Sequence, residues 1–85
     1  MSEYVTNNIR ELRSKNNGMT QKALAEMTGV SRQTIISIES NRYTPSLILA
    51  LKIANSFNLV VEDIFAIAEQ DADDQLPARA ESKPE

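Results

Sequence analysis

The 85-residue sequence lacks both cysteine and histidine, and these two absences exclude most kinds of reactive site. Without cysteine, the chain cannot form a disulfide framework, a zinc ribbon, an iron–sulfur cluster or a thiol nucleophile. Without histidine, it lacks the commonest general base and metal ligand. We therefore expect no catalytic residues, no metal site and no cofactor, so that the protein is not an enzyme. A chain of this length also has room for only one small hydrophobic core.

Long apolar runs are missing as well. No stretch approaches the ~20 apolar residues that cross a bilayer. The N-terminus is polar and of mixed charge, unlike a targeting segment in which an apolar run follows basic residues. We therefore expect a soluble, cytoplasmic protein that has no membrane partner.

The net charge of −3 is divided unevenly along the chain. Residues 1–53 carry seven Lys and Arg against four acids, a net charge of +3, whereas residues 54–85 carry two against eight, a net charge of −6. The total therefore hides a basic domain with an acidic end. Because residues 69–85 contain two prolines and only one large aliphatic residue, we predict a folded domain over 1–68 and a disordered acidic tail over 69–85.

Between residues 4 and 67 the apolar residues recur at helical spacing, and no segment alternates convincingly as a strand does. This pattern predicts an all-α domain. Hydroxyl residues at Thr20 and Ser31 and the glycine at Gly29 give helix-start and helix-stop signals. The five expected helices cover about 4–16, 20–27, 31–40, 46–57 and a short segment within 60–65.

The stretch TQKALAEMTGVSRQTIISIES, residues 20–40, predicts two helices that cross after a short turn. Ala25 supplies a small side chain for the crossing, and Gly29 can take positive φ in the turn. The second helix then projects Ser31, Arg32 and Gln33 outward. This arrangement suits the major groove of DNA. An ordinary helical hairpin would share the apolar spacing, but it gives no reason for Arg-Gln at an exposed helix start.

Several motifs occur in the order typical of one family. They are TQ opening the second helix, LAE and GVS around the turn, SRQTI opening the third helix, IE ending it, and PSL with LALKIA in the fourth. Over about residues 4–67 the chain thereby resembles the Cro/CI-type helix-turn-helix family. The resemblance implies a five-helix, lambda-repressor-like domain that binds double-stranded DNA as a homodimer on a two-fold symmetric operator. It also implies a transcriptional regulator, most often a repressor.

The resemblance also implies roles for individual residues. Arg32 and Gln33 match base-reading positions, where arginine pairs with guanine and glutamine with adenine, each worth about 1–3 kcal/mol of discrimination. Ser37, one turn beyond Gln33, could touch a base edge. Gln21 and Arg42 match contacts to backbone phosphate. With the short hydroxyl donors, the expected backbone contacts are Gln21, Ser31, Thr34 and Arg42, although helix capping is an equally good explanation for Ser31.

Three further features follow from the family pattern. Arg13 and Glu39 match an internal ion pair between the first helix and the end of the recognition helix, with Arg10 as the alternative partner. Asn41 stands where many members have glycine, and asparagine tolerates the left-handed backbone that this turn needs. Ile36 replaces a commonly polar residue, and it either packs at the helix flank or meets a thymine methyl.

The segment NLVVEDIFAIA has more apolar residues than one or two helical turns can bury. We expect Ile64 and one valine to face the core. A homodimer interface is then expected at Leu59, Phe65 and Ile67, in the region through which compact members of the family dimerise. The alternative is a monomer in which Phe65 covers the core.

Two other functions use the acidic tail. An antitoxin would use the same domain for autoregulation and wrap a toxin with its tail, so that the tail would have an unidentified protein partner. A hydrolase would need a metal held by Asp71, Asp73 and Asp74. A flexible acidic segment of this kind is far more often solvated charge, so a DNA-binding regulator is the leading hypothesis.

Overall fold

The computed structural model describes residues 2–70, and the expected tail from residue 71 onward lies outside the described residues. Four α-helices form the body of the domain, and two short strands pair the two ends of the described chain. In chain order the elements are β1 (Ser2–Asn7), α1 (Ile9–Lys15), α2 (Gln21–Thr28), α3 (Arg32–Glu39), α4 (Leu47–Ser56), a 3₁₀ turn (Val61–Asp63) and β2 (Phe65–Gln70).

The helix starts expected for α2, α3 and α4 are confirmed within one residue. Thr20 accepts a hydrogen bond from the Ala23 amide at 2.9 Å, and Ser31 accepts one from the Thr34 amide at 3.2 Å. Ser46 caps α4 in the same way. Each hydroxyl satisfies an amide that has no partner within its helix, which explains why these starts can be read from the sequence.

The expectation of an all-α domain is wrong, because residues 2–7 and 65–70 form an antiparallel two-stranded sheet. Val5 lies opposite Ile67, and Asn7 lies opposite Phe65. The first helix accordingly begins at Ile9 rather than near residue 4. Aromatic and β-branched residues in β1 suit a strand. The partner strand is about sixty residues away, so the local pattern gives no sign of the pairing.

The expected fifth α-helix is also wrong, since the segment forms only a three-residue 3₁₀ turn. Asp63 closes this turn by accepting a hydrogen bond from the Val60 amide at 3.2 Å. Ile64 is then buried, and β2 begins at Phe65. The short turn leaves the chain extended at the point where β1 can pair with it.

One hydrophobic core joins all four helices with the residue after the 3₁₀ turn. Its completely buried side chains come from α1 to α4: Ile9, Leu24, Ile35, Ile38 and Ile53. Helical spacing in α4 places Leu47, Ala50, Leu51, Ile53, Ala54 and Phe57 in the core. Ala50, Ile53 and Ala54 are buried as expected, whereas Leu47 and Leu51 are 70% and 47% exposed and Leu49 is buried instead. Within residues 2–70 no helix has the length and apolar character needed to span a membrane.

Candidate nucleic-acid interface

The helices α2 and α3 are joined by a turn that Gly29 makes possible. Gly29 has φ of +77°, a left-handed conformation that glycine adopts without strain from a Cβ atom. The Val30 amide donates to the Ala25 carbonyl at 3.0 Å, as expected where a helix ends in a left-handed residue. Leu24 and Ala25 are buried with Ile35, so the two helices pack by their inner faces. The predicted helix-turn-helix is thereby confirmed.

The first turn of α3 presents polar side chains to solvent. Ser31, Arg32 and Gln33 are exposed, whereas Thr34 is partly buried. Ser31 caps α3, and its Oγ also lies 3.0 Å from Thr34 Oγ1. The capping role expected for Ser31 therefore holds, and contacts of Ser31 and Thr34 with a DNA backbone stay predictions. Arg32 and Gln33 stay exposed to solvent beside this cap.

Arg13, Glu39 and Gln21 form a hydrogen-bonded network that links α1, α2 and α3. Arg13 Nε donates to Glu39 Oε2 at 2.6 Å, and Arg13 Nη2 donates to Glu39 Oε1 at 3.1 Å. The pair is mostly buried, with side-chain exposures of 14% and 8%. Gln21 Nε2 also donates to Glu39 Oε1 at 3.0 Å. The two charges are thus paired in the forked geometry that favours arginine over lysine.

A groove between α1, α2 and α3 lies beside this network and is lined by several positive side chains. We call it the basic groove. Its lining includes Arg10, Lys22 and Arg32, and it also includes the partly buried Ile36. Of these three basic residues, only Arg32 was expected from the sequence to contact DNA. Arg10 and Lys22 were missed because their nearness to α3 depends on how the helices pack. Positive side chains around an exposed helix are suited to phosphate.

Arg42 lies in the loop after α3, and a hydrogen-bonded helix end sets its backbone position. Asn41 has φ of +63°, which confirms that asparagine accepts the left-handed turn here. The Asn41 amide donates to the Ile38 carbonyl at 3.0 Å, and the Arg42 amide donates to the Ser37 carbonyl at 2.9 Å. These two bonds form a Schellman motif. The Arg42 side chain is exposed, whereas Ser37 is partly buried.

The residues expected at a dimer interface differ in their surroundings. Ile67, on β2, is 73% exposed. Leu59 and Phe65 are partly buried and pack against the chain's own core, as does Val61. The start of α4 provides further apolar surface, although Leu47 and Leu51 were expected in the core. Its exposed residues are Leu47, Ile48 and Leu51.

Comparison with known proteins gives three results that agree with this geometry. A family profile described as Helix-turn-helix matches residues 9–65. An uncharacterized HTH-type transcriptional regulator of Methanothermobacter thermautotrophicus is 54% identical over 65 residues, covering 75% of this chain and 93% of that protein. The uncharacterized HTH-type transcriptional regulator YgzD of Bacillus subtilis is 45% identical over 64 residues, covering 75% of this chain and 96% of YgzD.

The fold is also similar to a solved structure. The restriction-modification controller protein C.AhdI from Aeromonas hydrophila superimposes with a TM-score of 0.59 at 29% sequence identity. The match covers 65% of this chain and 82% of C.AhdI.

Proposed function

Since the chain belongs to the Cro/CI-type helix-turn-helix family of DNA-binding transcription regulators, we propose that it is a sequence-specific repressor that binds an inverted-repeat operator as a homodimer. The family expected from the sequence motifs is confirmed by these matches. Regulators of this kind are not a class of enzymes. In the proposal, α3 enters the major groove of double-stranded DNA.

The observation that carries the proposal is the exposed start of α3 beside the basic groove. Arg32 and Gln33 reach outward from the first turn, where a recognition helix contacts base edges. Arg10 and Lys22 border the same groove and are suited to the flanking phosphates. Gln21 donates one N–H of its Nε2 to Glu39, which leaves the second N–H of the same nitrogen to donate to a backbone phosphate. We assign base reading to Arg32, Gln33 and Ser37, and backbone contacts to Gln21, Ser31, Thr34 and Arg42.

A homodimer follows from the small size of this reading surface. One α3 reads only a few base pairs, so two copies are needed to select a site among the many in a genome. We place the dimer surface at the exposed Ile67 and at the start of α4. Thr44, in the loop that leads into α4, lines one groove with Ile67 and Tyr4, so Ile67 lies near that loop. Leu59 and Phe65 would contribute the edges that their own core leaves uncovered.

The proposal is tested by selecting bound fragments from a random DNA library. Wild type should enrich an inverted repeat whose half-sites lie about one helical turn apart, roughly 34 Å. Arg32→Ala should lose preference at one base pair in each half-site and keep the remainder of the consensus. Lys52→Ala, which removes a positive charge in a different groove, should select the wild-type consensus. A library that shows no enrichment with wild type would overturn the proposed function.

The antitoxin hypothesis stays an untested prediction. It depends on a tail whose residues from 71 onward lie outside the described part of the chain. The same holds for the hydrolase hypothesis, because Asp71, Asp73 and Asp74 are in that segment. Co-purification of a toxin with the full chain would be the first evidence for an antitoxin.

A further inference from the structure

Asn7, the last residue of β1, connects the sheet to the end of the recognition helix. Its Nδ2 donates to the Ile38 carbonyl at 2.8 Å and to Asn41 Oδ1 at 3.2 Å. Its Oδ1 accepts from the Ile9 amide at 3.1 Å, at the start of α1. One side chain therefore links the start of α1, two residues away, to the end of α3, more than thirty residues away.

The partners of Asn7 belong to the Schellman motif that ends α3. Asn41 is the left-handed residue of that motif, and Arg42 follows it directly. The Ile38 carbonyl accepts from both the Asn41 amide and Asn7 Nδ2, so both of its lone pairs are used. Fixing Asn41 from two sides also fixes the direction in which the chain leaves α3.

We propose that Asn7 is a positioning residue for DNA binding: it holds the end of α3 and thereby places Arg42 against a backbone phosphate. This inference rests on the proposed function. The sheet then has a role besides pairing the ends of the domain, since β1 transmits its position to the DNA-contacting loop. Asn7 has no charge and does not itself need to touch DNA.

The test replaces Asn7 with aspartate. Asn7→Asp keeps an oxygen that can accept from the Ile9 amide, but it loses the amide donor and turns an oxygen toward the Ile38 carbonyl and Asn41 Oδ1. Asn8→Asp is the matched control, because Asn8 is the next residue and donates from its Nδ2 to the Asp63 carbonyl instead. Both variants add the same negative charge at neighbouring positions, but Asn8→Asp removes the hydrogen bond to Asp63 and keeps the link from Asn7 to α3.

The first measurement is operator affinity against salt concentration. Asn7→Asp should weaken binding to all sequences alike and reduce the salt slope by about one per half-site, which is the effect of losing one phosphate contact. Asn8→Asp should keep the wild-type slope. In an Arg42→Ala background, Asn7→Asp should cause no additional loss of slope. Additive slopes in the double variant would overturn the inference.

The second measurement separates this inference from the proposed function. Amide hydrogen exchange of Arg42, whose N–H bonds to the Ser37 carbonyl, should become faster in Asn7→Asp and stay at the wild-type rate in Asn8→Asp. If the two variants exchange alike at Arg42, Asn7 does not position the loop. If wild type binds no DNA selectively, the proposed function is wrong, whatever the exchange rates show.

Discussion

At the scale of single residues, Glu39 is a charged group whose burial depends on its hydrogen-bond partners. Its carboxylate is mostly buried and accepts hydrogen bonds from Arg13 and from Gln21. Removing one partner of such a pair leaves a charge without solvent or a counter-ion. We therefore expect Arg13→Ala and Glu39→Ala each to lower the free energy of unfolding by about 3–5 kcal/mol, measured by urea denaturation.

The control for this prediction is Glu11→Ala, which removes an exposed carboxylate from α1. That change should alter stability by less than about 1 kcal/mol. If Arg13→Ala and Glu39→Ala unfolded at the same urea concentration as wild type, the ion pair would contribute little to stability. Arg10 was the alternative partner, and it lies exposed in the basic groove.

Arg42 and Arg32 carry the same charge but should affect DNA binding differently. Arg42→Ala should weaken binding to every sequence and reduce the salt slope by about one per half-site, because a phosphate contact releases counter-ions without reading bases. Arg32→Ala should instead reduce discrimination at one base pair, by about 1–3 kcal/mol. Titrations of operator and mutated operator at several salt concentrations distinguish the two. Equal losses from Arg32→Ala on all sequences would contradict its base-reading role.

At the scale of elements, the sequence predicted those whose signals are local. Thr20, Ser31 and Gly29 gave the bounds of the helix-turn-helix because caps and left-handed turns involve neighbouring residues. The sheet could not be found in this way. Ala66, Ala68 and Glu69 favour a helix over a strand when read alone, and only pairing with the distant β1 makes them a strand. Asn7 was missed for the same reason, since its partners are more than thirty residues away.

The sheet contains an unfavourable pair that can be tested. Glu3 and Glu69 lie directly opposite each other on β1 and β2, and like charges in such a position are destabilising. Glu3→Lys and Glu69→Lys should each stabilise the domain by about 0.2–1 kcal/mol, measured by thermal unfolding at low salt.

The double variant Glu3→Lys with Glu69→Lys is the control for this prediction. It restores a like-charged pair, so its stability should fall below that of either single variant. If the two gains were additive, overall charge would explain them and the cross-strand pair would not. High salt should reduce the differences, because the side chains are exposed.

At the scale of the whole molecule, the acidic end opposes the basic DNA-binding surface. Residues 71–85 carry five acids and two basic residues. Since β2 extends to Gln70, a deletion should begin at residue 71 rather than at the expected boundary of 69. We expect the shortened chain to fold and to bind its operator more tightly at low salt. The difference should vanish as screening shortens to about 10 Å at 0.1 M salt.

A full-length variant with the five tail acids changed to Asn or Gln is the control for the deletion. It should bind at least as tightly as the shortened chain at low salt, because its tail keeps only the two basic residues. Loss of folding or of operator binding after the deletion would show that the tail takes part in assembly. In that case a protein partner for the tail would become the better explanation.

The proposed homodimer depends on an apolar surface that the monomer leaves uncovered. Ile67 is 73% exposed on β2, and Ile48 is 68% exposed at the start of α4.

Ile67→Asp places a charge on this surface at a position whose side chain contributes little to the core. We therefore expect Ile67→Asp to remain folded but to sediment as a monomer at micromolar concentration, while wild type sediments as a dimer. Met27→Asp changes another exposed apolar residue, which lines a different groove, so it should leave the dimer intact. Because the operator is an inverted repeat in this proposal, the monomeric variant should also lose its preference for two half-sites over one. If wild type and Ile67→Asp both sediment as dimers, the proposed interface is wrong, and if both sediment as monomers, the homodimer itself is wrong.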